Sequence, residues 1–150
     1  MTDSSRSATI VVGVDGSAAS VEALRQAQRL AVPLRAEVEA TACWEYPRMR
    51  DGYLIMGIEG FAERAGMILD EGIAAAFGPE KPANVTRRLV EGPARATLIE
   101  ASRTADLLVI GRRGRGGFGG LLLGSVSSAC VAHARCPVLV VHAPPDDGKR

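Results

Sequence analysis

Apolar residues in this chain form two kinds of pattern that follow one another in turn. Strand-like segments occur five times: the first is a nearly continuous apolar run, typical of a strand buried on both faces of a sheet, and the third is the weakest. They lie within residues 8–17, 36–46, 84–92, 106–111 and 136–142. Between these runs the apolar residues recur every three to four positions, which is typical of a helix with one buried face. The pattern therefore predicts strict alternation of strand and helix, βαβαβαβαβ.

Each of the four predicted helices is marked by a stripe of apolar residues or by a residue typical of a helix end. The second helix ends at Gly78-Pro79, and Pro93 stands in the first turn of the third, where its missing N–H costs nothing. The segment 47–60 reads as a connection before the second helix. The predicted inner positions are Ala23, Leu24, Ala27, Leu30 and Ala31 in the first helix, Ala62, Ala65, Leu69, Ile73, Ala76 and Phe77 in the second, and Val126, Ala129, Cys130 and His133 in the fourth. His133 is interpreted as a packed histidine rather than a catalyst.

This alternation predicts an α/β protein with an open, parallel, five-stranded sheet and helices on both faces, joined by right-handed crossovers. A chain of 150 residues is long enough for one well-buried domain and short for two. We expect a single domain with its core at about 8–142 and a polar tail at 143–150.

Composition excludes several classes of function. The formal net charge is only +1, which does not favour a nucleic-acid partner. The N-terminal residues lack the apolar core of a signal peptide, and no run approaches the roughly 20 apolar residues of a membrane span, so we expect a cytoplasmic protein. Three cysteines and two histidines show no metal-ligand spacing, and no metal site is predicted.

A glycine-rich, basic stretch, GRRGRGGFGGLLLGSV, covers residues 111–126 between the fourth strand and the fourth helix. Glycines let backbone N–H groups approach an anion, and the helix that opens at Gly124-Ser125 turns the positive end of its dipole toward the loop. The hydroxyls of Ser125 and Ser127 can add hydrogen bonds. The stretch therefore predicts a phosphate-binding loop, although its arginines could equally be a solvated surface.

A second candidate is Asp15, in the sequence VGVDGS after the first strand. Ligands of open parallel sheets collect beyond the carboxyl ends of the strands, where the strand order reverses. A carboxylate there can accept a hydrogen bond from a ribose hydroxyl or an adenine amine. The alternative is that Asp15 only shapes the Asp-Gly turn.

Three motifs in this order, IVVGVDGS, the spacing G-2x-G-9x-G-[ST] and CPVLVV, resemble the universal stress protein family over about residues 8–142. The resemblance implies a Rossmann-like fold, similar to adenine nucleotide alpha hydrolases, with strand order 3-2-1-4-5. It also implies that Asp15 serves the ribose and adenine while the glycine-serine loop wraps the phosphates. The positions that match nucleotide contacts of the family are Gly13, Asp15, Cys43, Ile110, Gly111, Arg113, Gly114, Gly124, Ser125, Val126 and Ser127.

The function implied is that of an ATP-binding regulator of stress response or dormancy, with Mg²⁺ held through the phosphates. No catalytic residue is predicted, because only cationic charge, among the groups that fast phosphoryl transfer needs, is visible. A slow ATPase or nucleotidyl-transfer enzyme and a cyclic-AMP-binding protein are the alternatives. The apolar fifth strand, at a sheet edge in this order, further predicts a homodimer through Val138, Leu139, Val140 and Val141.

Overall fold

The computed structural model describes residues 6–46, 58–112 and 123–144. Strands and helices alternate throughout, as predicted. The strands are β1 (Thr9–Gly13), β2 (Glu37–Trp44), β3 (Val85–Glu91), β4 (Leu107–Gly111) and β5 (Val138–Val141). The helices are α1 (Ala18–Leu34), α2 (Ile58–Phe77), α3 (Ala94–Ala101) and α4 (Ser125–His133).

The five strands form one parallel sheet of order β3-β2-β1-β4-β5, which confirms the predicted fold class and strand order. Residue Val12 of β1 lies beside Val109 of β4, so the two strands end at the same edge of the sheet. The chain leaves β1 toward β2 and β3, then returns to β4 and β5 on the other side. The crevice expected at such a reversal therefore lies between the carboxyl ends of β1 and β4.

Two apolar clusters cover the two faces of the sheet. The larger contains the buried side of α1 and α2, with Leu24 and Leu69 completely buried. The smaller joins Leu98 of α3 and Cys130 of α4 to Val11 and Ile110 of the central strands. Because successive strand residues point to opposite faces, β1 and β4 contribute to both clusters.

Helix boundaries follow local signals. Ser17 caps α1, since its hydroxyl accepts the N–H of Ser20, and Arg35 ends that helix in the left-handed conformation. Pro93 is the N-cap residue of α3 rather than part of its first turn. Helix α2 begins at Ile58, so the predicted connection is helical from there on, and residues 47–57 lie outside the described ranges.

Two predicted inner positions are wrong. Leu30 is 38% exposed, because it lies at the margin of the apolar stripe, whereas Ala27 and Ala31 nearer its centre are completely buried. His133 is exposed at the last residue of α4, whereas Cys130, one turn earlier, is completely buried. Helical spacing shows which residues share a face, but not how wide the buried part of that face is or what covers the end of the helix.

None of the described helices has the length and apolar character needed to cross a membrane.

Candidate functional site

The turn between β1 and α1 is organised by Asp15. Its Oδ1 accepts the backbone N–H of Ser17 at 3.0 Å and the Ser17 hydroxyl at 2.6 Å, while its own N–H donates to the Ser20 hydroxyl at 3.3 Å. The side chain is nevertheless exposed, and within the described residues only Oδ1 of its carboxylate accepts a hydrogen bond. Asp15 thus shapes the turn, as the alternative interpretation held, and still presents Oδ2 at the carboxyl edge of the sheet.

Gly111, at the end of β4, lies directly against the first turn of α1. A Cβ at this position would be 2.7 Å from the Ala19 Cβ and 3.2 Å from the Ser20 backbone nitrogen. Such distances are well inside normal contact, so only glycine allows strand and helix to meet this closely. The glycine that the family motif assigns to a nucleotide therefore has a packing role of its own.

Gly13 and Ile110 lie side by side on the opposite face. A Cβ at Gly13 would be 3.6 Å from the Ile110 Cγ2 and 3.0 Å from the Leu98 Cδ1. Ile110 itself is buried, which leaves its side chain to the core rather than to a ligand. Any contact of these two residues with a nucleotide would have to be made by their backbone atoms.

The two ends of the glycine-rich loop are tied together at Arg112. Its carbonyl accepts the N–H of Gly124 at 2.9 Å, and its own N–H donates to the carbonyl of Val141 at 2.7 Å. Arg112 and Gly124, on either side of the segment 113–122, are therefore held together beside the end of β5. Arg113 and Gly114, two of the predicted site residues, lie outside the described residues.

Helix α4 begins at this point without a side-chain cap. Its N-cap residue, Gly124, has φ −73° and ψ 174°, a conformation open to any residue, so its backbone does not require glycine. The first intrahelical bond is donated by Ser128 to Gly124, which leaves the N–H groups of Ser125, Val126 and Ser127 to be satisfied from outside the helix. With no acidic residue in this first turn, the positive helix end is suited to an anion.

The serine hydroxyls of this turn differ in role. Ser127 is 4% exposed and donates its hydroxyl to the Gly111 carbonyl at 2.6 Å, which ties α4 to β4. Ser125 is exposed at the helix end. The sequence suggested a ligand role for both hydroxyls, whereas the structure leaves only that of Ser125 available.

Cys43 lies near the carboxyl end of β2, two residues beyond the partner of Gly13. Burial raises the pKa of its thiol, and a hydrogen bond with Thr97 of α3 opposes that effect in part. The thiol is therefore a neutral, half-buried group at neutral pH, and not a nucleophile.

Sequence reasoning missed an aromatic cluster beside this strand. Tyr46 meets Trp44 edge-to-face at 5.1 Å between ring centroids, and Phe61 of α2 at 6.0 Å. It also missed Ser17, which the preference for serine at helix N-caps could have identified. Nothing in the spacing of the aromatic residues signals their contact, because Phe61 is 15 positions from Tyr46 and belongs to a different element.

The carboxyl edge of the sheet thus brings together the uncapped N-terminus of α4, the exposed carboxylate of Asp15 and the backbone at the ends of β1 and β4. Such a site can bind an anionic group at α4 and a hydrogen-bond donor at Asp15. No group of three or more His, Cys, Asp or Glu residues gathers anywhere in the described ranges.

Comparison with known sequences gives a consistent result. The sequence profile of the Universal stress protein family matches residues 7–142. Universal stress protein Rv1996 of Mycobacterium tuberculosis is 35% identical over 157 aligned residues, which cover 91% of this chain and 48% of that protein. Universal stress protein Rv2623 of the same organism is 34% identical, with 95% and 50% covered. The chain thus spans about half the length of the curated relatives it matches.

Solved structures share the fold. A universal stress protein crystallised in complex with cAMP has a TM-score of 0.69 at 28% identity, with 93% of this chain and 100% of that chain covered. One from Burkholderia pseudomallei has a TM-score of 0.65 at 27% identity, with 89% and 95% covered. Because the family profile covers almost the whole described domain and the strand order agrees, this chain belongs to the universal stress protein family.

Proposed function

We propose that the crevice between the ends of β1 and β4 binds ATP. The observation that carries this proposal is the N-terminus of α4, which is uncapped, lacks acidic residues in its first turn and begins at the root of the glycine-rich loop. Three N–H groups there, on Ser125, Val126 and Ser127, suit the oxygens of a phosphate chain. Asp15 supplies an exposed oxygen for the nucleoside.

The relation to a cAMP-bound universal stress protein supports a nucleotide as ligand and makes cAMP the second candidate. The two ligands would use different parts of the same site. ATP would use the whole glycine-rich loop, whereas cAMP carries one phosphate and would need only the helix end. We favour ATP because the sequence keeps the full G-2x-G-9x-G-S spacing.

We further propose that the protein acts by binding, as a nucleotide-dependent regulator of stress response or dormancy. Phosphoryl transfer needs a group that orients the attacking nucleophile, and the described part of the site offers Asp15 alone, with one oxygen already engaged in the turn. Mg²⁺ would accompany the phosphates of ATP and neutralise part of their charge. Hydrolysis, if measured, should be slow.

Calorimetric titration with ATP, ADP, AMP, cAMP and adenosine tests the ligand class. Asp15→Ala should weaken ATP and adenosine alike, whereas Ser125→Ala should weaken ATP far more than adenosine, each by about 1–3 kcal/mol. Ser17→Ala is the control for Asp15, because it removes the hydroxyl bond to Oδ1 and the N-cap of α1 but keeps the carboxylate and its bond from the Ser17 backbone N–H. Equal losses in Asp15→Ala and Ser17→Ala would show that Asp15 serves only the turn. A protein that binds none of these ligands would refute the proposal.

We also propose a homodimer through β5. Among the described strands, β5 is at the edge of the sheet and pairs with β4 alone, and its residues Val138, Leu139 and Val140 are partly exposed. An apolar edge strand without charged residues favours pairing with another strand. The β5 strand of a second copy, running antiparallel, would satisfy the backbone hydrogen bonds of both edges at once.

A further inference from the structure

The outer edge of β3 carries a row of unpaired backbone groups. This strand lies at the edge of the sheet opposite β5 and, among the described strands, pairs with β2 alone. The carbonyl of Asn84 accepts the N–H of Val38 in β2, so even-numbered residues of this segment face β2. Alternate residues of a strand direct their hydrogen-bonding groups to opposite sides. Arg87, Leu89 and Glu91 therefore direct their N–H and C=O groups outward, where none of the described residues meets them.

The chain itself closes the beginning of this edge. The outward N–H of Val85 donates to the Pro82 carbonyl at 3.0 Å, and the Val85 carbonyl accepts a hydrogen bond from the Lys81 Nζ. The open part of the edge thus runs from Arg87 to Glu91. Five extended residues are a usual length for a strand in a sheet.

The two arginines of β3 do not cover this edge. Charged side chains commonly protect an edge strand from pairing. Here the Nε of Arg87 lies 2.7 Å from the Oδ1 of Asp70 on α2, and the Nη1 of Arg88 lies 3.5 Å from the Oε1 of Glu39 on β2. Both guanidinium groups are therefore held back over the domain, on opposite faces of the sheet, and the backbone between them stays open.

The side chains along the open edge form a self-complementary series. Arg87, Leu89 and Glu91 are basic, apolar and acidic, and strand alternation places all three on the face that α2 covers. In an antiparallel pair of β3 strands centred on Leu89, Arg87 of each copy lies opposite Glu91 of the other. Opposite charges in directly opposed positions stabilise a strand pair. The three outward residues of each copy would exchange about six backbone hydrogen bonds.

Neighbouring registers lack this match. Centring the pair on Arg87 or Arg88 would place two copies of the same arginine directly opposite each other, and centring it on Glu91 would do the same with two carboxylates. Directly opposed like charges destabilise a strand pair. Centring it on Val90 would place Leu89 opposite Glu91. The charge pattern therefore specifies the register centred on Leu89.

We propose that the open edge of β3 binds the same edge of a second copy of this chain, antiparallel and centred on Leu89. Glu91 is exposed and forms no ion pair with any described residue, so its carboxylate is available to Arg87 of the other copy. The proposal depends neither on a bound nucleotide nor on pairing through β5. Because β3 and β5 are at opposite edges, pairing at both would continue the sheet from one dimer to the next.

This association should be weak. Five paired residues on one strand bury less surface than the about 1,200 Å² of a standard stable interface, and we expect a Kd of about 0.1–1 mM. The opposed charges are exposed, so raising the salt concentration from about 0.05 to 0.5 M should weaken the association.

Sedimentation equilibrium of the full chain at about 0.1–1 mM measures this association. Val140→Lys serves as the background, so that pairing through β5 does not contribute. Glu91→Lys should raise the Kd by about tenfold, because it places like charges opposite each other at two positions of the dimer. Glu80→Lys is the matched control: it makes the same change of charge at an exposed residue between α2 and β3 and should leave the Kd unchanged.

A mixing experiment isolates the charge pair. Arg87→Glu leaves two acidic side chains on the open edge, and Glu91→Lys leaves two basic ones. Each variant repels its own kind, but an antiparallel pair of the two places opposite charges together at both positions. An equimolar mixture should therefore associate at least as strongly as the background protein, although neither variant does so alone. Circular dichroism checks that Arg87→Glu folds, since it loses the ion pair with Asp70.

Nuclear magnetic resonance locates the contact without any substitution on β3. As the protein concentration rises, the amide resonances of Arg87, Leu89 and Glu91 should shift. Those of Arg88 and Val90, whose N–H groups face β2, should shift much less.

The outcomes decide the proposal. Association that Glu91→Lys weakens and the mixture restores supports it, together with shifts confined to the outward amides. No association at 1 mM, equal Kd values for Glu91→Lys and Glu80→Lys, or equal shifts of outward and inward amides would overturn it. If Arg87→Glu does not fold, the two lysine variants and the amide shifts decide. None of these results depends on whether the protein binds ATP.

Discussion

Replacing Gly111 by alanine separates a packing role from a ligand role at a glycine that lies directly against helix α1. The new Cβ would lie 2.7 Å from the Ala19 Cβ and 3.1 Å from the Ala19 carbonyl carbon. Carbon atoms in contact normally lie about 3.5–4.0 Å apart, so strand and helix must separate by about 1 Å. Two of the three opposing atoms belong to the α1 backbone, and no change of rotamer can relieve the collision.

The cost follows from these distances. Overpacking of a close-packed interior costs about 1–3 kcal/mol, and a collision with helix backbone belongs at the upper end. Alanine recovers about 0.5–1 kcal/mol relative to glycine in a strand. We expect Gly111→Ala to lower the free energy of unfolding by about 2 kcal/mol, or about 4–8 °C in Tm for a domain of this size.

Urea denaturation followed by far-UV circular dichroism measures this change, which should appear in the midpoint with the slope unchanged. Gly13→Ala is the first control, because its Cβ would meet only side-chain atoms, the nearest being the Leu98 Cδ1 at 3.0 Å, and should cost less than about 1 kcal/mol. Gly78→Ala is the second, because nothing lies within 4 Å of its Cβ and only its φ of +85° is strained.

Nucleotide affinity is the second measurement on Gly111→Ala. Asp15 lies in the turn just before α1, so a displacement of the first turn of this helix should also move Asp15. A loss of affinity without a loss of stability would indicate a direct ligand role for Gly111. Stability within about 0.5 kcal/mol of wild type, the usual range for substitutions that disturb no packing, would refute the packing argument.

Three further predictions concern single side chains. Ser127→Ala should lower the free energy of unfolding by about 1–2 kcal/mol in urea titration, because it leaves the Gly111 carbonyl without its hydroxyl donor. Ser125→Ala should leave stability unchanged, and equal stabilities of the two variants would contradict this division of roles. Burial raises the pKa of the Cys130 thiol to about 11 from 9.0, so this thiol ionises in the unfolded chain before it does in the folded protein. The free energy of unfolding should therefore decline by up to about 2 kcal/mol between pH 9 and 11. Cys130→Ala should reduce this decline, and the same pH profile in wild type and variant would disprove the reasoning. Sedimentation equilibrium should show a dimer for the wild type and a monomer for Val140→Lys, and a wild-type monomer at tens of micromolar would exclude the β5 interface.

Local sequence patterns were sufficient for the elements of this fold. Five strand-like segments became five strands, and the predicted edge of the sheet carries Asp15 and the start of α4. The signal was strong for β1 and β4, which are buried on both faces, and weak for the edge strand β3, which is exposed from Thr86 to Arg88. The strand order is different in kind: alternation of strand and helix is compatible with several orders, and only the family resemblance pointed to 3-2-1-4-5.

What the sequence by itself determined is therefore the alternation of elements and the residues available at the strand ends. The tertiary structure alone decided what those residues do: it turned the Ser127 hydroxyl to the Gly111 carbonyl, exposed His133 and paired Arg112 with His142. The physical reason is the distance along the chain over which each kind of signal acts. Periodicity and turn preferences act within a few residues, whereas the two contacts join atoms that are 16 and 30 positions apart and the exposure of His133 depends on what packs against the end of α4.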